Sequence, residues 1–236
     1  MDRRDRRRTA LEVGLVFAGV TAVDSALWHL QSIAFIHNNL HALVAVAFLV
    51  VPQILLRERG DIERYGFTSR PRRLGLTLAA IGLFGVLPLF TVGFVLYNRA
   101  LCAWAPNLVA GSCFHLLHPH FRLPDRFLMA AASQLVVVAL PEELFFRGYL
   151  QGRLDDAWAP KWNLLGARVG VGWIFSSLMF GLGHYLVSFE PQMLTRVVPG
   201  LVFGWMFART RSILAGTIFH AACNLLMEIL AVSFLT

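Results

Sequence analysis

Charge is scarce in this chain. Of its 236 residues only 15% are charged and 57% are hydrophobic, and the mean hydropathy is +0.61. A soluble domain carries roughly a quarter charged residues, so a soluble globular class is excluded. Cysteine is scarce as well. Cys102, Cys113 and Cys223 are odd in number and lack metal-ligand spacing, which argues against a disulfide scaffold or a structural zinc domain. No His-Glu-x-x-His signature occurs. No internal repeat of the kind many carriers show is present either. Acids are few beside bases, 14 against 21, for a net charge of +7.

The apolar residues are gathered into runs. A spanning helix needs roughly 20 mostly apolar residues, and seven stretches qualify: 10–36, 39–56, 73–97, 127–153, 168–189, 192–208 and 212–234. Backbone polar groups find no water in lipid, so each should be helical. The expected fold is an all-α, polytopic membrane protein of about seven transmembrane helices around a polar cavity, a single integral membrane domain over 1–236. Between Ala100 and Phe121 the chain is apolar but broken by Pro106, Gly111 and Pro119, which reads as a loop.

The basic residues fall in alternate loops. Arg3, Arg4, Arg6, Arg7 and Arg8 precede the first run, and Arg57, Arg59, Arg64, Arg70, Arg72 and Arg73 follow the second. Arg153, Lys161 and Arg168 lie between the fourth and fifth, Arg209 and Arg211 between the sixth and seventh. The other side holds Arg99, Arg122, Arg126 and Arg196. The positive-inside rule then puts the N-terminus in the cytoplasm. In a bacterial host the membrane is the inner one. This placement accounts for the basic balance without a nucleic-acid partner; the lipid bilayer is the expected one, and oligomeric state is left open.

Ionisable groups inside a span are costly and are functional candidates by default. Most of them lie in three short motifs: Pro141-Glu142-Glu143-Leu144-Phe145-Phe146-Arg147, Phe180-Gly181-Leu182-Gly183-His184, and His220-Ala221-Ala222-Cys223-Asn224. Glu143 and Arg147 are four apart, with the acid first, so they can pair along one helix face. Glu142 lies about 100° round the helix and is left without an in-helix partner. Glu143 and Arg147 are therefore assigned to structural support and Glu142 to chemistry, as a general base. Pro141 removes a backbone hydrogen bond and is expected to kink the helix beside it. His220 and Asn224, four apart, project together; a neutral imidazole and a carboxamide are donors suited to an oxyanion hole. At about 1.5 Å per residue, Glu142 lies roughly 16 Å from Arg153, and His220 and Asn224 roughly 12 and 18 Å from Ser212. His184 comes out at about 24 Å from Arg168, too far outward, unless its helix starts later or tilts.

Glu-Glu-x-x-x-Arg, Phe-x-x-x-His and His-x-x-x-Asn, in this order on separate helices, resemble the CPBP family, also called Abi, which contains the type II CAAX prenyl endopeptidases. Arg209-Thr210-Arg211-Ser212-Ile213-Leu214 also resembles that family's approach to its last motif, with Arg211 where a Gly is usual. The resemblance covers a core over 127–227 and leaves 1–126 family-unassigned. It implies that Glu142 and His184 activate a water, and that His220 and Asn224 form the oxyanion hole. The implied activity is intramembrane glutamic-type proteolysis of a membrane-anchored or lipidated polypeptide, with a CAAX-like end or a C-terminal sorting tail. The loop around Asp155 to Asn163 is longer than the family's.

Other readings stay open beside this one. Zinc held by Glu142, His184 and His220 would give a metal-dependent version of the same reaction; the expectation is no cofactor. A proton-coupled transporter would use the same three side chains as a relay. A non-catalytic immunity or scaffold protein would keep the fold alone. Asp24, His29, His37 and His41 match no motif and are expected to bond between helices. His115, His118 and His120 have the residue types of a metal site but read as loop residues. Cys102 and Cys113 share a loop and are expected to stay unpaired, and Gly200 and Gly204 are expected to serve helix packing.

Overall fold

The computed structural model describes residues 2–57, 62–104, 113 and 120–234. Among them are six helices long and apolar enough to cross a membrane. In chain order these are α1 (Arg3–His29), α2 (Ala34–Arg57), α3 (Arg72–Trp104), α4 (Phe127–Ala157), α5 (Val171–Ser188) and, after the short α6 (Val197–Thr210), α7 (Leu214–Phe234). The chain is an integral, multi-pass membrane protein.

The expected span 192–208 is not a single long helix. Pro191 opens a 3-10 segment, Pro191–Arg196, and the α form begins only at Val197. It ends at Thr210, where Arg211 turns left-handed with φ 55°. The resulting helix α6 (Val197–Thr210) has 14 residues and rises about 21 Å, short of the roughly 30 Å of a hydrocarbon core. It packs on α5. A side chain on Gly200 would meet Phe180 at 3.3 Å, and one on Gly204 would meet Trp173 at 2.9 Å. The indole of Trp173 donates to the Leu201 carbonyl at 2.8 Å.

Two boundaries also move. α3 continues to Trp104, past the expected end at Tyr97, while residues 105–112 and 114–119, with Pro106, Gly111, His115, His118 and Pro119, lie outside the described residues. Cys102 and Cys113 form a disulfide, contrary to expectation, because their Cα atoms come within 5.6 Å. α5 starts at Val171, not near Arg168, because the intervening chain forms an antiparallel hairpin of β1 (Trp162–Leu164) and β2 (Ala167–Val169). Leu165 and Gly166 at its turn both have positive φ, 46° and 79°, as a two-residue hairpin turn requires. Asp155 is not in this loop; it belongs to the last turn of α4.

The basic loops expected on one side do meet at one end of the bundle. Arg64 pairs with Asp156 at 3.2 Å, Arg153 with Glu12 at 3.4 Å and Arg211 with Asp155 at 3.4 Å. Tyr65, buried in the loop between α2 and α3, donates to Asp156 at 2.8 Å, and burial raises its phenol above the ordinary value. Aromatic side chains fill the centre: Phe17, Phe48, Phe145, Phe146, Phe180, Phe203 and Phe219 form one buried cluster.

Candidate active site

α4 is where the helix departs from α geometry. Residues Gln134–Ala139 and Leu144–Gln151 are π-helical, with a short α segment, Leu140–Glu143, between them. Pro141 lacks an N–H, so the backbone bond it would donate is missing. The expected disturbance at Pro141 thus takes the form of widened π turns on either side of Glu142 and Glu143. π turns are rare and recur at functional sites. α5 supports the second one, the Ser176 hydroxyl donating to the Phe146 carbonyl at 2.7 Å.

Glu143 and Arg147 pair at 3.4 Å with both side chains fully buried. That contact is electrostatic more than a shaped hydrogen bond, since the guanidinium nitrogens lack hydrogen-bond partners. Aromatic faces take the place of water around it. The Arg147 guanidinium carbon lies 4.6 Å from the Phe180 ring, 5.5 Å from Phe203 and 5.8 Å from Phe146. The other Glu143 oxygen receives His220 Nδ1 at 3.0 Å. Glu143 therefore serves α7 as well as its own helix, a role that helical spacing within α4 did not reveal. The approach needs Gly216, where a Cβ would stand 2.7 Å from Glu143 Oε2.

Glu142, on the neighbouring face, meets two imidazoles. His184 Nε2 lies 3.8 Å and His220 Nε2 3.7 Å from Glu142 Oε2, an oxygen that is buried and has no hydrogen-bond partner. Both rings are aimed from behind. His184 Nδ1 donates to the Phe180 carbonyl at 2.7 Å; a carbonyl only accepts, so the hydrogen is on Nδ1. His220 is stacked on Phe203, ring centroids 4.6 Å apart, with Nδ1 on Glu143. The late start of α5 brings His184 to this level, since Val171 to His184 rises about 20 Å instead of 24 Å. Gly183 admits Phe17 of α1 and Gly181 admits Val197 of α6.

Asn224 lies one turn beyond His220 on α7, and its amide donates to Gln134 Oε1 at 3.1 Å. Gln134 was overlooked in the sequence, although a carboxamide inside an apolar run is itself a signal. Gln151 is a second case, fully buried and donating to the Gly204 carbonyl at 3.0 Å. Of the remaining candidates, His37 and His41 are exposed, and His29 stacks on Phe189 with centroids 6.0 Å apart. His120 is exposed, and its backbone N–H donates to the Ser233 carbonyl at 3.2 Å.

Three motifs that are far apart in the chain thus converge on one carboxylate. Residues 124–226 match the family model described as type II CAAX prenyl endopeptidase Rce1-like. This segment is similar to the Rce1-like type II CAAX prenyl endopeptidases, a match to the CPBP family. No curated protein and no solved structure matches the chain. The matched segment begins just before α4 and ends within α7, so it holds Glu142, Glu143, Arg147, His184, His220, Asn224 and Gln134 together. The match supports a CAAX-type intramembrane protease in general. Among the described residues no group of three or more His, Cys, Asp or Glu is set to hold a metal ion. Glu142 Oε2 stands 3.8 Å from His184 Nε2 and 3.7 Å from His220 Nε2. Tetrahedral zinc, with bonds of about 2.0–2.2 Å, would bring their donor atoms to about 3.3–3.5 Å apart.

Proposed function

We propose that the chain is an intramembrane endopeptidase that hydrolyses a peptide bond with a water activated by Glu142 and His184. The observation that carries this reading is the unpartnered Glu142 Oε2 facing two imidazole nitrogens at 3.7 and 3.8 Å. Such separations are too long for direct hydrogen bonds and suit groups that share a water. With its hydrogen on Nδ1, His184 offers a lone pair at Nε2, so the water can donate to both Glu142 and His184. Its oxygen attacks the substrate carbonyl carbon while Glu142 takes a proton.

His220 and Asn224 then hold the developing oxyanion. Glu143 Oε1 accepts from His220 Nδ1, so donation from Nε2 to the oxyanion calls for a ring that carries both hydrogens. Asn224 gives one amide hydrogen to Gln134 and keeps the other for the substrate.

The proposed substrate is a lipidated or membrane-anchored polypeptide cut near its C-terminus, a reading that the family match supports. The N-terminus and the Arg-rich end of the bundle are assigned to the cytoplasm. The decisive experiment incubates the purified protein in lipid vesicles with a farnesylated CAAX peptide and identifies products by mass spectrometry. Cleavage that survives a chelator and disappears in Glu142→Gln is expected. Loss of cleavage with chelator, restored by zinc, would favour the metal-dependent version. Solute flux without cleavage would favour a carrier instead.

A further inference from the structure

α6 runs antiparallel to α5 and continues past the residue where α5 begins. Gly181 of α5 meets Val197, Phe180 meets Gly200 and Trp173 meets Gly204. Arg209, five residues beyond Gly204, stands about 7.5 Å past the level of Trp173 and so about 4–5 Å past Val171. The β1–β2 hairpin covers this projecting turn. Trp205 donates to the Leu164 carbonyl at 2.8 Å, and a Cβ on Gly166 would stand 3.0 Å from the Arg209 guanidinium.

The hairpin has an apolar face that the protein covers only in part. Trp162 pairs with Val169 and Leu164 with Ala167, so these four side chains share one face. Ala167 and Val169 are buried, whereas Trp162 and Leu164 are 49% and 40% exposed and Leu165, at the turn, is 83% exposed. Asn163 and Arg168 take the opposite face. Around the hairpin stand three exposed cations, Lys161, Arg168 and Arg209. None has an acidic partner among the described residues, although Arg64, Arg153 and Arg211 at the same end of the bundle are all paired. The Arg168 guanidinium donates to the Pro160 carbonyl at 3.2 Å, which holds it at the base of the hairpin.

Depth says what meets this surface. α5 has 18 residues and rises about 27 Å, close to the thickness of a hydrocarbon core, so Val171 marks its edge. The headgroup layer beyond that edge is about 5–7 Å deep, and the hairpin turn lies within it. Apolar side chains on one face and unpaired cations around them match acyl chains below and phosphates above. A second copy of the chain would instead bring like charges together.

We propose that the β1–β2 hairpin is a binding site for anionic phospholipid. Trp162, Leu164 and Leu165 enter the edge of the acyl region, and Lys161, Arg168 and Arg209 hold the headgroup phosphates. The site uses none of the residues assigned to peptide hydrolysis, and it stands whether or not the protease reading does.

The test uses the full chain in two arms. In vesicles of phosphatidylcholine and phosphatidylglycerol, Leu165→Cys in a Cys223→Ser background carries an NBD fluorophore. Lipids with a nitroxide high on the acyl chain should quench it, and aqueous iodide should not. In the second arm, native mass spectrometry of the detergent-solubilised protein, titrated with phosphatidylglycerol, gives a Kd. Arg168→Gln and Arg209→Gln should each weaken it about fivefold, the effect of one cation near an anionic surface, while Arg99→Gln at the other end of the bundle stays within about twofold of wild type. Arg209→Lys should bind as wild type does. Quenching by iodide alone would put the hairpin in water and overturn the proposal. Quenching by neither, relieved on diluting the protein in lipid, would make the face an interface between copies and overturn it too. So would a Kd unmoved by Arg168→Gln and Arg209→Gln, or a loss as large in Arg209→Lys as in Arg209→Gln, which would trace the effect to the fold.

Discussion

α3 and α4 are similar in length, 33 and 31 residues, and both are apolar enough to span a membrane, but they use that character in opposite ways. α3 turns most of its large side chains outward; Phe84 is 82% exposed and Leu89 75%. In α4 every residue from Pro141 to Asp155 is buried. Lipid solvates the first helix and other helices solvate the second. A hydrophobic chain thus records the membrane in its apolar residues and the site in its few polar ones. Within α4 the polar groups survive burial only as a set: Glu143 is held by Arg147 and His220, Arg147 by three aromatic rings, and Gln151 by the Gly204 carbonyl.

Substitutions in the two helices should separate accordingly. The largest effect is expected at Glu142. Glu142→Gln should lower kcat by about 10²–10⁴-fold with the thermal unfolding midpoint nearly unchanged, read in a peptide-cleavage assay beside a melt. Arg147→Met should act in the reverse sense, on stability first. It leaves Glu143 buried with its main countercharge gone and should cost about 3–5 kcal/mol, measured by unfolding in detergent. Gly216→Ala comes next, because its Cβ would press on Glu143 Oε2 at 2.7 Å. Overpacking of that kind costs about 1–3 kcal/mol, and activity should fall with it as His220 loses its alignment. Leu89→Ala in α3 is the control, expected within about 0.5 kcal/mol. A large loss there would break the contrast between the helices.

Arg211 gives the smallest and most local test. It occupies the left-handed position that ends α6, with φ 55°, where helices favour Gly. A left-handed backbone costs a non-glycine residue roughly 1–2 kcal/mol. Its guanidinium partly offsets that through Asp155 at 3.4 Å and the Phe207 ring at 5.4 Å. Arg211→Gly relieves the strain and loses a half-exposed ion pair worth about 0–1 kcal/mol. The net change should be stabilising by no more than about 1 kcal/mol, read as a small rise in melting temperature.

The membrane class and most helices were legible because apolar runs of spanning length have few other uses. The pairing of Glu143 with Arg147 was legible because both lie on one helix, where spacing sets geometry. What spacing cannot carry is contact between helices. The bond from Glu143 to His220 joins residues 77 apart in sequence, and that from Asn224 to Gln134 joins residues 90 apart. The short α6 was hidden for a different reason: Pro191 and the left-handed Arg211 cut an apolar run that hydropathy alone treats as continuous. The hairpin before α5 was likewise unmarked by any Asn-Gly or Asp-Gly pair, its turn being made by Leu165 and Gly166.

The central claim is that Glu142, His184 and His220 share one solvent molecule. An experimental structure of the protein in lipid, at a resolution that shows ordered water, tests it most directly. The account predicts a single oxygen within about 2.6–3.2 Å of Glu142 Oε2 and of at least one facing Nε2, with no anomalous signal at a zinc edge. A metal ion in that position would contradict the proposed chemistry. Direct contact between carboxylate and imidazole, or side chains drawn apart to face lipid, would contradict the site.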